Sequence, residues 1–121
     1  MNHELLRRKA MEIMGRHRGP ENAIKTDELV FQLSIWDADL HAIYAKNKEN
    51  ADRAVRRIYS NLPIAASSNG LYIPRTPKEL EAFREYMQRA YGNERAAARV
   101  KIILAYYQNL RPTAEVQQEL F

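Results

Sequence analysis

The thirteen residues Leu62-Pro-Ile-Ala-Ala-Ser-Ser-Asn-Gly-Leu-Tyr-Ile-Pro74 constrain the fold more than any other part of the chain. Proline has no backbone N–H and a fixed φ, so Pro63 ends whatever helix precedes it. Pro74 closes the segment in the same way. Between them, two short apolar runs meet at Asn69-Gly70, a dipeptide that favours the positive φ angles of a tight hairpin turn. Leu71, Tyr72 and Ile73 suit a strand. The expectation is a β-hairpin at 64–73 with its turn at Ser68, Asn69 and Gly70.

The remaining periodic segments read as helices. Leu6, Ala10, Ile13 and Met14 recur at helical spacing, predicting a helix over 3–17 that Gly19-Pro20 stops. Thr26 is expected to cap the next helix, with Asp27 and Glu28 favourably placed in its first turn and Leu29, Val30 and Leu33 facing a core. Residues 36–46 form a third helix carrying Trp36, Leu40, Ile43 and Tyr44. A fourth is expected over 50–62, opened by Asn50 or Asp52. Its apolar residues Ala51, Ala54, Val55, Ile58 and Leu62 share one arc, whereas Arg53, Arg56, Arg57, Ser60 and Glu49 lie opposite.

After the hairpin, Thr76-Pro-Lys-Glu79 is a capping box with proline at the first helical position. The helix it starts carries Leu80, Phe83, Met87 and Ala90 and stops at Gly92. A last helix over 93–110 has an apolar stripe of Ala96, Val100, Ile103, Leu104, Tyr107 and Leu110. Ile102 and Tyr106 sit off that stripe, and so predict a self-association flank and a homodimer.

Several function classes receive no support. The 121 residues contain no cysteine, so disulfides, thiolate metal sites and a cysteine nucleophile are unavailable. His3, His17 and His41 lack ligand spacing, and no metal or other cofactor is expected. Asp37 and Asp39 read as a capped helix start rather than a catalytic pair. There is neither a glycine-rich phosphate loop nor a serine nucleophile elbow, and no enzyme is expected. No apolar run spans a membrane and no secretory leader is visible, so the chain reads as soluble and cytoplasmic. The net charge of +4 permits an anionic partner without requiring one. Arg7, Arg8, Lys9, Arg16, His17 and Arg18 form a second basic cluster, read as a solvated helix face before a DNA contact.

The order helix, helix, helix, basic helix, hairpin, helix, helix is that of a winged helix-turn-helix followed by two C-terminal helices. The fold class expected is mainly α with a small β-hairpin (α+β). Residues 1–91 would be the winged domain and 92–121 a C-terminal helix and extended tail for oligomerisation or partner binding. In such domains the helix before the hairpin enters the major groove and the hairpin lies along the phosphates. Arg53, Arg56, Arg57 and Ser60 are therefore the expected base- or phosphate-contacting residues of a double-stranded DNA site. Ser67, Ser68 and Asn69 at the hairpin tip read first as turn chemistry; their functional reading is hydrogen bonding to phosphate, with Arg75 at the hairpin base the nearest cation.

Specific residues carry a closer likeness. Gly19, Glu21, Asn22, Ala23 and Ile24, then Ile64, Ser67 or Ser68, Gly70, Tyr72, Ile73 and Pro74, follow a pattern seen in small phage- and prophage-encoded winged helix-turn-helix DNA-binding proteins. The chain resembles that group over roughly residues 15–90. It departs from it in a longer segment at 35–50 and in Leu71, where an aromatic usually follows the glycine. The resemblance implies a transcription regulator or a replication accessory factor. The alternative class is a protein–protein adaptor that keeps the scaffold without binding DNA. Separately, the tail Gln117-Gln-Glu-Leu-Phe121 resembles the short Gln-x-x-Leu-Phe peptides that dock on bacterial sliding clamps, with Gln117, Leu120 and Phe121 as its anchors. The plainer reading has Phe121 folding back on the last helix.

Overall fold

A computed structural model describes residues 1–110, the last two in backbone only. Six α-helices surround a two-stranded antiparallel hairpin in the order α1 (His3–Met14), α2 (Thr26–Ser34), α3 (Ala38–Lys46), α4 (Lys48–Tyr59), β1 (Ala65–Ser67), β2 (Gly70–Tyr72), α5 (Pro77–Tyr91) and α6 (Asn93–Leu110). A single 3-10 turn covers Pro20–Asn22. The expected element order and the mainly helical α+β class are both present. No described helix is long and apolar enough to cross a membrane.

α1 stops three residues earlier than its periodicity predicts, because residues 17–19 are used elsewhere. His17 offers its carbonyl to the Ile73 amide at 2.9 Å, and the Gly19 amide donates to the Ile73 carbonyl at 2.9 Å. Further on, Ile24 and Leu71 exchange both backbone hydrogen bonds, at 2.7 and 2.8 Å. Residues 17–24 thus line the outer edge of β2 and satisfy amides that an open edge would leave exposed.

This edge explains Gly70. The register pairs Ser67 with Gly70, Ala66 with Leu71 and Ala65 with Tyr72, so Ser68 and Asn69 are the two loop residues. Gly70 has φ 126°, and among the described residues only glycines have positive φ. The Asn-Gly pair is therefore not the centre of the turn, as the dipeptide suggests; Gly70 opens β2. A Cβ there would overlap the Ile24 carbonyl and lie 2.8 Å from its carbon. Backbone conformation and the approach of residue 24 both demand glycine.

Helix starts differ from the expected ones by local cap chemistry. Lys25, not Thr26, is the N-cap of α2; it offers no side-chain acceptor, and its carbonyl takes the Glu28 and Leu29 amides. Asp37 caps α3 by accepting the Leu40 amide at 3.0 Å. Trp36 consequently precedes α3 and is 51% exposed, rather than riding on the helix. Asn47 both closes α3, donating its amide to the Ile43 carbonyl, and opens α4, accepting from the Glu49 and Asn50 amides at 2.9 and 3.2 Å. α4 therefore starts before Asn50 and Asp52, inside what reads as a polar turn. It ends at Tyr59, so Leu62 joins the core from the following loop.

The core runs from α1 through α6. Leu6, Met14, Leu29, Leu33, Leu40, Val55, Ile58, Tyr72, Phe83 and Ile103 are each at most 2% exposed. Burying side chains of this size stabilises by about 1.5–3 kcal/mol each before entropy is counted. α5 packs on α6 and on β1, which fixes the hairpin against the helices. Ile103 and Tyr107 of α6 belong to the same cluster as Leu6 of α1, so α6 shares the core of residues 1–91. Of the apolar residues α5 carries, Leu80 and Phe83 are buried, Met87 is half-buried and Ala90 is exposed.

Candidate nucleic-acid interface

α4 is sharply two-faced. Ala51, Val55 and Ile58 are buried. Arg53, Arg56, Arg57 and Ser60 are exposed on the other side, as their spacing predicts. Arg56 and Arg57 also lie in the last turn, where the partial negative charge of the helix C-terminus favours cations. Arg56 forms a 3.2 Å ion pair with Asp52 one turn earlier. Among the described residues, the Arg53 and Arg57 side chains have neither a hydrogen bond nor an ion pair. Ser60 donates its hydroxyl to the Arg57 carbonyl at 2.9 Å, so it trims the helix end rather than presenting a free donor.

The hairpin tip is also partly committed. The Ser67 hydroxyl accepts the Asn69 amide at 3.1 Å. Ser68 and Asn69 are exposed and Ser67 is half-buried. A cation not expected from the sequence stands beside them: Lys25 Nζ reaches the Ser68 carbonyl at 3.5 Å. Lys25 precedes α2 and comes to the tip because Ile24 pairs with Leu71. A separation of 43 residues carries no local signal in the sequence.

Arg75, expected to face phosphate at the hairpin base, is held by two carboxylates. Its guanidinium pairs with Glu21 and with Glu79, the latter at 2.9 Å, and its amide donates to Glu79 Oε1 at 2.7 Å. The capping box is thus half-formed. Thr76 Oγ1 accepts the Glu79 amide at 3.1 Å, but the Glu79 carboxylate turns to the residue before the cap. Burial alone would raise the Glu79 carboxyl; the hydrogen bonds from Arg75 outweigh it and hold the group below the usual carboxylate value. The same bonds from Glu79 and Glu21 raise Arg75 further above the ordinary guanidinium range. Beside this clamp, burial pushes the Tyr72 phenol up to about 12, with the Glu79 charge adding to the effect.

Arg99 of α6, also unsignalled in the sequence, braces the end of α4. It donates to the Ser60 carbonyl and, at 2.8 Å, to the Ile64 carbonyl. Burial pulls its pKa below the usual guanidinium value, with the nearby Tyr59 opposing. Burial likewise raises the Tyr59 phenol, against the charge of Arg56.

The remaining basic cluster is divided. Lys9 sits 3.9 Å over the Trp36 ring and pairs with Glu12. Arg7 and Arg8 border a recess shared with Leu62 and Tyr106. Tyr106, expected on an open flank, packs against the core and lies edge-on to Tyr107 at 5.9 Å; Ile102 is half-buried. Three of the large exposed apolar residues gather instead around the end of α2: Phe31, Ile35 and Trp36 are 47, 68 and 51% exposed. Gln117, Leu120 and Phe121 lie outside the described residues. No group of three or more His, Asp or Glu side chains among the described residues is arranged to hold a metal. No protein-family model, curated protein or solved structure matches the chain.

Proposed function

We propose that the chain is a duplex-DNA-binding winged helix-turn-helix module of the small phage and prophage type, acting in transcription regulation or replication. The observation that carries this reading is the arginine face of α4. Arg53 and Arg57 stand exposed, without carboxylate partners among the described residues, on the helix directly before the hairpin. Isolated bridges from Arg18 to Ile73 and from Ile24 to Leu71 hold the hairpin's outer edge, and Lys25 at its tip supplies a cation for a phosphate. α4 then serves as the recognition helix, and the hairpin follows the backbone.

The test is a fluorescence anisotropy titration of a mixed-sequence duplex at low and high salt. Replacing Arg53 and Arg57 with alanine is expected to weaken binding by about 1–3 kcal/mol for each arginine that reads a base. For each arginine that instead neutralises a phosphate, the slope of log K against log salt falls by about one unit. Duplex affinity unchanged in the double variant sinks the assignment of α4.

The second reading, an adaptor without DNA binding, is favoured by Phe31, Ile35 and Trp36. Three large apolar side chains clustered in sequence at one helix end form a surface of the kind protein partners cover. It predicts no salt-dependent duplex binding by the native chain.

A further inference from the structure

An open-sided groove of about 460 Å³ lies between the end of α4, the hairpin and helices α5 and α6. Its size falls within the range of about 300–1,000 Å³ usual for small-ligand sites. Arg56, Arg95 and Arg99 line it together with Tyr59, Tyr86 and Tyr91, and no aspartate or glutamate does. Arg95 and Arg99 have no carboxylate partner among the described residues, and only Arg56 has one, Asp52. Arg99 is half-buried and spends two donors on the Ser60 and Ile64 carbonyls, leaving the rest of a five-donor guanidinium. At the rim, Arg95 stands 5.9 Å over the ring of Tyr91. Tyr91 is 54% exposed, an unusual position for a large aromatic that supports no core.

We infer that this groove binds a nucleotide unit, a phosphate ester on a flat aromatic base. Three guanidinium groups without acids in the groove wall make a positive field in a concavity, which concentrates an anion. Guanidinium matches phosphate oxygens in a bidentate manner. The exposed ring of Tyr91 at the rim offers the base a stacking surface that tolerates any base, as in single-strand binding sites. A bare anion would leave the aromatic wall unused, and an uncharged aromatic would leave the arginines unused. The inference goes beyond duplex binding and is tested apart from it: Arg56 belongs to both surfaces, but Arg53 and Arg57 do not line the groove, and Tyr91, Arg95 and Arg99 lie off α4.

Isothermal titration calorimetry of the full chain tests it with adenosine 5′-monophosphate, adenosine, inorganic phosphate and a 5′-phosphorylated thymidine tetranucleotide. The monophosphate is expected to bind with Kd at or below about 1 mM. Adenosine and phosphate should each bind at least about tenfold more weakly, since each keeps only half of the recognition. Tyr91→Ala and Arg95→Ala, both exposed and outside the core, should each weaken the monophosphate by about five- to a hundredfold with Tm unchanged. Arg99→Ala removes the brace on α4, so Arg99→Lys serves in its place and is expected to weaken binding while the chain stays folded. A tetranucleotide that binds more tightly than the monophosphate makes the source a strand end; one that binds more weakly makes it the free nucleotide. No heat at several times the expected Kd overturns the inference. So does equal affinity for phosphate or adenosine, or an unchanged affinity in both Tyr91→Ala and Arg95→Ala. Arg53→Ala/Arg57→Ala should leave the monophosphate titration as it is, whatever becomes of duplex binding.

Discussion

Arg57 on α4 and Arg75 at the foot of the hairpin flank the same short β segment, and both carry a full charge. Their surroundings differ. Arg57 projects from a helix whose opposite face is buried, and among the described residues no acid approaches it. Arg75 lies between Glu21, brought in from 54 residues away, and Glu79, one helical turn along. One arginine is left to solvent or a partner; the other joins the segment 17–24, the hairpin and α5 into one junction. The fate of a basic residue is decided by the carboxylates that the fold delivers to it, and the one from Glu21 is a tertiary contact.

The largest expected effect falls on the junction. Gly70→Ala places a Cβ against the Ile24 carbonyl at φ 126°. Strain at one such residue costs about 1–3 kcal/mol, and the overlap with backbone adds to it. Urea unfolding should show a loss of at least about 2 kcal/mol. Arg57→Ala, in contrast, should stay within about 0.5 kcal/mol of the native chain, as exposed substitutions do. A tolerated Gly70→Ala would mean that residues 17–24 do not press on β2.

Glu79→Gln comes next and gives the contrast a pH dependence. The folded carboxyl is held below its unfolded value, so its contribution is complete above about pH 4.5 and is lost as pH falls through the lowered pKa. The variant should lose about 1–2 kcal/mol at neutral pH, the scale for charged hydrogen bonds. It should also lose less than the native chain between pH 5 and about pH 2, read as ΔTm across that window. Parallel Tm curves for the two proteins would show that Arg75 is not held by Glu79 in solution.

These two junction effects mark where the sequence stops being readable. Helix periodicity, the Asp37 cap and the two faces of α4 are local, and the residues involved lie within a few turns of one another. The hairpin is legible in outline from Pro63, Gly70 and Pro74. The Asn-Gly dipeptide misplaces its turn by one residue because Gly70 answers to Ile24, not to its neighbour Asn69. Asn47 is hidden because one residue serves two helices, which removes the loop a boundary usually needs. Of the candidate interface, the α4 arginines are legible. Lys25, Arg99 and the neutralised Arg75 are not, since each depends on a contact with residues 35 or more positions away.

The smallest effect separates the two arginine environments most directly. Asp52 is to Arg56 what Glu79 is to Arg75: an acid one helical turn away. The Arg56 side chain is 60% exposed, and an exposed pair at this spacing is worth only about 0.3–0.5 kcal/mol. Asp52→Asn should therefore leave stability almost unchanged. If α4 meets DNA, the same change removes a negative charge from the interface and releases Arg56 toward phosphate. Duplex affinity should then rise by up to about tenfold at low salt, with a salt slope steeper by up to one unit. Glu79→Gln should give no such gain, because the Glu21 carboxylate still holds Arg75. A gain from Asp52→Asn without one from Glu79→Gln would mark α4, not the hairpin base, as the charged surface that DNA reads. Equal gains would mean that only net charge matters, and the distinction between the two regions would fall.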